Sequence, residues 1–303
     1  MNPAGAFYSP GPPFAMAMLP ALPYAPAALH PAAAVPMQAP LPPPFRVPVN
    51  AVWADNFDAV RRDMGYFAAH ARCVAVKVHY PGVIHGVIGQ DLGALTAEKR
   101  YAALKANVDA LKPLQVGLAV ATDDGRFAAW EFNLSDFDPA ADPHAVQSLL
   151  HLGRRGLDCL EHRRRGVPVE ELTRALRRSR LLSGRPGVSV VTHTGAYHLA
   201  YLMKVLSGGD PLPGDMAGFL GAVRRSLGED VYDVARMAAD CRDMPGGLEH
   251  IAGRLRLAPP LALHPLAGAG SVLALEAFII LRDHQFRGDV TRYRGVLHGL
   301  QTV

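Results

Sequence analysis

Apolar and polar positions repeat with two different periods along this chain, and the changes of period mark its elements. Phe57, Val60, Met64 and Phe67 recur every three or four residues behind Asp55, which predicts an amphipathic helix capped by Asp55. Cys73-Val74-Ala75-Val76-Lys77-Val78-His79 is short, rich in β-branched residues and stopped by Pro81-Gly82, so it reads as a buried strand. The period of two sets Lys77 and His79 on one face, Val76 and Val78 on the other. Tyr101, Leu104, Val108 and Leu111 return to helical spacing. Residues 114–121 and 127–134 then read as strands joined by a hairpin turn at Asp123-Asp124-Gly125.

The second half is mostly helical. Residues 144–165 and 169–182 predict two helices separated by Gly166 and Pro168. A strand at 188–192 runs into a helix at 196–206, and helices or helical turns follow at 231–241, 248–257 and 271–286. No internal repeat is visible. Strands in the first half, one later strand and abundant helix predict a single α/β domain with a mixed central sheet flanked by helices.

Charge sharpens the domain edge. Every Asp, Glu, Lys and Arg lies from Arg46 onward, and the uncharged head holds half of the chain's 26 prolines. Residues 1–48 therefore read as a disordered Pro/Ala-rich extension, and 49–303 as one domain. The head has no Lys or Arg before Arg46, and Pro12, Pro13, Pro20 and Pro23 break its apolar runs, which argues against a signal peptide. No apolar stretch approaches a membrane span. Half the residues are apolar and the net charge is +4, so the chain as a whole is not a disordered one. Cys73, Cys159 and Cys241 are odd in number and widely spaced, which reads as free thiols in a reducing compartment.

The positive charge is concentrated. Ten arginines lie between Arg154 and Arg185 against four acids. A solvated helical face with i,i+4 pairs is one reading. The other is a patch at Arg163, Arg164, Arg165, Arg177 and Arg178 for RNA phosphate or an acidic partner. No aromatic residue interrupts this stretch, so base stacking on it is not expected.

Specific motifs go further. Val52-Trp53-Ala54-Asp55-Asn56-Phe57, Tyr80-Pro81-Gly82-Val83 and Asn107-Val108-Asp109-Ala110-Leu111-Lys112 occur in order, followed by Leu114-Gln115-Val116-Gly117-Leu118 and Trp130-Glu131-Phe132-Asn133. Tyr201-Leu202-Met203-Lys204, Tyr232-Asp233-Val234, Gly246-Gly247-Leu248 and His298-Gly299-Leu300 complete the series. From Val52 to Leu300 the chain resembles the Caf/Pop deadenylases, the nuclease subunit of the Ccr–Not mRNA deadenylation complex. The resemblance implies a ribonuclease H-like fold of the DEDD exonuclease type. It implies a poly(A)-specific 3′-exoribonuclease using Mg²⁺ or Mn²⁺, with four carboxylates holding two ions and a histidine on the attacking water. It also implies docking to the Ccr–Not scaffold subunit and to the Ccr-type nuclease, and residence in nucleus and cytoplasm.

The sequence departs from that pattern at each acid. By the resemblance, the first-strand pair falls on Lys77 and His79, the third acid on His198 and the fourth on Gly270; the family histidine lies near His264, and the retained Asp233 is not one of the four. Mg²⁺ is a hard ion that wants oxygen ligands, so no metal cofactor and no two-metal hydrolysis are expected. A pseudo-nuclease acting as an interaction or RNA-binding subunit in mRNA turnover is the expectation. Three alternatives remain open. Lys77 can hold an RNA phosphate, poly(A) included. His79, His198 and His264 can converge on Zn²⁺. Activity on poly(A) can persist through ligands elsewhere. Arg163-Arg164-Arg165 replaces an acidic stretch common in the family, a reversal that bears on partner choice.

Overall fold

The computed structural model describes residues 47–86, 92–260, 262, 264 and 266–302. Six strands form one mixed sheet: β1 (Val49–Val52), β2 (Ala71–His79), β3 (Gln115–Thr122), β4 (Phe127–Asn133), β5 (Ser189–Thr192) and β6 (Val231–Asp233), in the order β1-β4-β3-β2-β5-β6. β2, β3 and β4 are antiparallel neighbours, while β1, β5 and β6 each join in parallel.

Alternation along β2 builds two different layers. Val74, Val76 and Val78 enter a large core with Val116, Leu118 and Val120 of β3 and Trp130 and Phe132 of β4. Helices α1 (Phe57–His70), α2 (Ala97–Ala110), α5 (Val169–Ser179), α6 (Gly195–Ser207) and α7 (Met216–Leu227) cover that face. The Lys204 ammonium of α6 donates to the carbonyls of Val108, Asp109 and Leu111 at 2.7–3.1 Å, which ends α2 and ties the two helices.

The opposite face is built from small residues. Cys73, Ala75, Ala119, Ala121 and Ala129 pack with α8 (Val234–Ala239), α9 (Leu248–Arg254) and α10 (Ala267–Ile280). A Cβ on Gly117 would collide with the Ala267 carbonyl, and one on Gly268 would meet Glu131 Cβ at 2.9 Å. The first turn of α10 therefore lies directly on β3 and β4. This close approach fixes where the functional positions meet.

The hairpin turn, β2 and the two faces follow the sequence pattern, and several other expectations need correction. The first helix is not capped by Asp55. Asn56 is its N-cap, with its side chain turned back to accept from the Trp53 amide, while Asp55 pairs with Arg165. The helix expected over 144–165 is two, α3 (Val146–Arg154) and α4 (Cys159–Arg165), because Gly156 adopts φ +101° between them. The element expected at 231–241 begins as strand β6. β1 and α7 lie where neither was expected. The Pro/Ala-rich head up to residue 46 falls outside the described residues, whereas Val47 is already buried in the core. Among the described residues no helix is long and apolar enough to cross a membrane.

Candidate functional site

β2 carries Lys77 and His79 toward the α10 side of the sheet, opposite Gly117 and Gln115 of β3. α10 brings Gly270 down onto them. A Cβ on Gly270 would stand 2.9 Å from Lys77 Cε and 3.4 Å from Nζ, and closer still to Cδ. The lysine side chain occupies the space that a side chain at position 270 would need.

His198 arrives from the first turns of α6. Its Nδ1 accepts the Val78 amide at 3.3 Å, beyond the last β2–β5 pair at Ala75 and Val191. The imidazole thus takes over a backbone donor that the sheet no longer satisfies. His193 sits just before α6, in the backbone step where Thr194 adopts φ +52°. Asp233 holds that step. Its carboxylate accepts from the amides of Thr194, Gly195, Ala235 and His298 at 2.7–3.0 Å. Burial raises this carboxyl above its ordinary value, and the Gly195, His298 and Ala235 amides offset part of that. Asp233 is a structural tie between β6, α6 and the C-terminal segment.

The electrostatics of the cluster are governed by burial, which disfavours the charged form of each group. Lys77, His79 and His198 line an open pocket, yet protein encloses them on the other sides. Burial pushes Lys77 below its ordinary value, and Glu249 on α9 partly offsets this. His79 falls to about 3 through burial, then through the charges of Lys77 and Arg155. His193 falls to about 4 by burial and Lys77. His198 is pushed well down by the same two causes in the same order. At neutral pH these three imidazoles are uncharged.

Two pockets meet at Lys77 and Arg155. One, of about 750 Å³, includes His79, Tyr80, His151 and His198 in its lining. The other, of about 330 Å³, is walled mainly by apolar residues with Glu249 at its edge. His151 and Arg155 were not singled out in the sequence, although their i,i+4 spacing puts both on one side of the α3 end. His193 was missed too; its signal is its place directly after a strand that feeds a helix.

The proposed zinc triad does not assemble. His264 stands against Gly156 and lines a third pocket of about 270 Å³ with Glu131, Asp158, Glu161 and His162, away from His79 and His198. Among the described residues no group of three His, Cys, Asp or Glu side chains could hold a metal ion. The acids of this third pocket are already engaged. Glu131 accepts the Gly268 amide at 2.8 Å, Asp158 caps α4, and Glu161 pairs with Arg165 at 2.7 Å. The residues at the implied Mg²⁺ or Mn²⁺ positions do not fit such an ion. They offer an amine, two imidazoles and a glycine in place of oxygen ligands.

The arginine patch is split. Arg163 pairs with Asp138, Arg165 with Asp55 and Glu161 while lying over the Trp53 ring, and Arg177 donates to the Leu206 carbonyl at 2.7 and 2.9 Å. Arg164 and Arg178 are exposed, and among the described residues neither forms an ion pair.

No protein-family model matches the chain. It is similar to the probable CCR4-associated factor 1 homolog 5 of Arabidopsis thaliana, 31% identical over 230 residues that span 75% of this chain and 80% of that protein. The structure of S. pombe Pop2p in its Mg²⁺- and Mn²⁺-bound form superposes with TM-score 0.74 at 26% identity, covering 84% of this chain and all of that one. Yeast CAF1 co-crystallized with the NOT1 MIF4G domain shares the fold, with TM-score 0.68 at 24% identity over 86% of this chain and all of that one.

Proposed function

The chain belongs to the CCR4-associated factor 1 (Caf/Pop) deadenylase family, with its ribonuclease H-like α/β fold, and on that footing we propose that it is a pseudo-nuclease serving as an interaction subunit of the Ccr–Not machinery. The observation that carries this reading is Lys77 packed across Gly270. Two positions where the family resemblance calls for metal-binding acids are here filled by one ammonium side chain. A positive charge at that point opposes a divalent cation through simple repulsion. The imidazoles of His79 and His198, held neutral by burial, add no compensating negative charge.

A deadenylation assay tests it. Purified protein with 5′-labelled poly(A) and Mg²⁺ or Mn²⁺ is expected to yield no ladder. Shortening by the wild-type protein that disappears in a parallel Lys77→Ala/His79→Ala preparation would overturn the reading.

The partner side of the proposal is supported by yeast CAF1, which shares this fold and was crystallized with the NOT1 MIF4G domain. A NOT1-type scaffold and the Ccr-type nuclease are the expected partners. The fold that presents those surfaces does not depend on the lost acids, because the core around Trp130, Phe132 and Tyr201 is complete without them. Exposed Arg164, in the stretch that replaces family acids, and exposed Arg178 on α5 each add positive charge to the surface open to partners. Co-purification with the scaffold's MIF4G domain, weakened by Arg164→Glu/Arg178→Glu, is the expected outcome; no co-purification of the wild type rejects the partner assignment.

A further inference from the structure

The chain has five lysines, and four of them are accounted for. Lys105 pairs with Asp109, Lys112 pairs with Asp142, Lys204 donates to three carbonyls, and Lys99 is exposed on α2. Lys77 is drawn inside without an acceptor. Among the described residues its amine makes no hydrogen bond and no ion pair. Burial disfavours its ammonium form; Glu249 opposes this and Arg155 adds to it. A lysine desolvated beside another cation holds more of its free amine, which is the nucleophilic form.

The amine is also within reach of a ligand. Lys77 lines both pockets that meet between β2 and α10. Gly270 leaves it uncovered on one side, since a Cβ there would stand 3.4 Å from Nζ. The smaller pocket, of about 330 Å³, is walled by Ala252, Leu257, Pro260, Leu266 and Leu273. An apolar cavity of about 150 Å³ already holds benzene, so an aryl or short alkyl body fits beside the amine. The chemistry at the amine narrows the electrophile. Imine formation needs a free amine, a path for protons and little competing water. Glu249 lines the same pocket, is exposed and forms no ion pair among the described residues. The apolar wall keeps out water that would hydrolyse the product.

We propose that Lys77 is a carbonyl-reactive amine that takes aldehydes with an aryl or short alkyl body into the smaller pocket as an imine, with Glu249 moving the protons. The amine lone pair forms the C–N bond, and the carbonyl π pair goes to oxygen, which takes a proton. Glu249 then accepts the proton that nitrogen sheds and returns it to the hydroxyl. The C–O bond breaks, the C=N bond forms and water leaves, so no oxidant or reductant enters. The proposal rests on the reading that no divalent metal occupies this position.

Reductive trapping tests it. The full chain in EDTA is treated with benzaldehyde and sodium cyanoborohydride near neutral pH, and the labelling rate of each lysine is followed by peptide mass spectrometry. Each unit by which burial lowers a lysine pKa raises the free-amine fraction about tenfold, so Lys77 is expected to label about tenfold faster than exposed Lys99, or more. Equal or slower labelling of Lys77 would overturn the proposal. That comparison lies within wild-type protein, so it stays decisive if a variant misfolds. Unfolding in urea should erase the preference; a preference that survives would show that the pocket does not cause it. Glyoxylate, a carbonyl without an apolar body, should favour Lys77 less than benzaldehyde does, and an equal preference would reject the apolar pocket as the selecting element. Glu249→Gln separates proton transfer from charge. Loss of the carboxylate charge alone would release more free amine and speed labelling, whereas loss of the proton path should slow it about tenfold or more. Faster or unchanged labelling removes Glu249 from the proposal. Poly(A) shortening in Mg²⁺ would count against the non-catalytic reading while leaving the labelling in EDTA to judge the amine.

Discussion

The Lys77 side chain runs across Gly270, so that any Cβ at position 270 would meet its Cδ, Cε and Nζ in turn. The two positions are coupled, and the coupling is measurable. Gly270→Ala gains about 1 kcal/mol of helix propensity but overpacks the contact with Lys77 at a cost of about 1–3 kcal/mol. In the wild-type background the substitution is expected to be neutral to destabilising. In a Lys77→Ala background the same change should stabilise. A double-mutant cycle by chemical denaturation that finds the two changes additive within about 0.5 kcal/mol would refute the contact.

The same contact bears on metal. With Lys77 in place, millimolar Mg²⁺ or Mn²⁺ should leave the Tm unchanged, and EDTA should do the same. A metal-bound native state would instead raise the Tm with concentration. Differential scanning calorimetry with and without the ions decides between them.

His79 reports on Lys77 by titration. Its value of about 3 arises first from burial and then from the lysine charge. Lys77→Met should therefore raise the His79 value, yet leave it below the ordinary 6.5 because burial remains. NMR of the imidazole carbons across acid pH is the measurement; an unmoved His79 would place the lysine charge elsewhere.

Asp233 is expected to be a stability residue. Asp233→Asn keeps its size but puts an amide donor opposite backbone donors, so a loss of about 2 kcal/mol or more is expected. The Gly195 and His298 amides share one oxygen of that carboxylate. Hydrogen exchange should accordingly rise at both His298 and the start of α6. Faster exchange at only one of them would show that Asp233 does not join the two.

Glu276 gives a pH dependence with a defined sign. It is 1% exposed on α10, neither carboxyl oxygen has a hydrogen-bond partner, and burial raises its pKa from 4.5 to about 7. Between those values the folded protein keeps a proton that the unfolded chain has released. Its contribution is fully present below about pH 4.5 and is lost as pH rises toward 7. Glu276→Gln should therefore stabilise the protein at pH 8 and do little at pH 5. Equal effects at both pH values would contradict the burial of this carboxyl.

The parts of the fold that were legible in the sequence are those written by local pattern. β2 was readable because seven consecutive residues alternate, and this put Lys77 and His79 on one face; that the face lies under α10 came only with the fold. The hairpin was readable because Asp123-Asp124-Gly125 suits a turn in which Gly125 adopts φ +80°. β1 and β6 were not, because four and three residues carry no period, and both exist through pairing with strands remote in the chain. The same limit applied to the site. The four altered positions were found by motif, but which cations surround Lys77 depends on α3, α6, α9 and α10 packing together. His264 shows the cost of counting a histidine by sequence position. It lines a different pocket from the one that His79 and His198 share.

The press of α10 against Gly117 and Gly268 also has a consequence for folding order. β2 pairs with β3 across the connection that carries α2, and β3 with β4 across a hairpin, but the Lys77 pocket is incomplete until α6 and then α10 arrive from much later in the sequence. Contacts of that separation form slowly, because the chain must close long loops before they return any stabilisation. The cation cluster should therefore be the last part of the domain to assemble. Partly folded molecules that already display a native hairpin would leave Lys77 in water, and only the finished fold would bring its charge into the desolvated pocket.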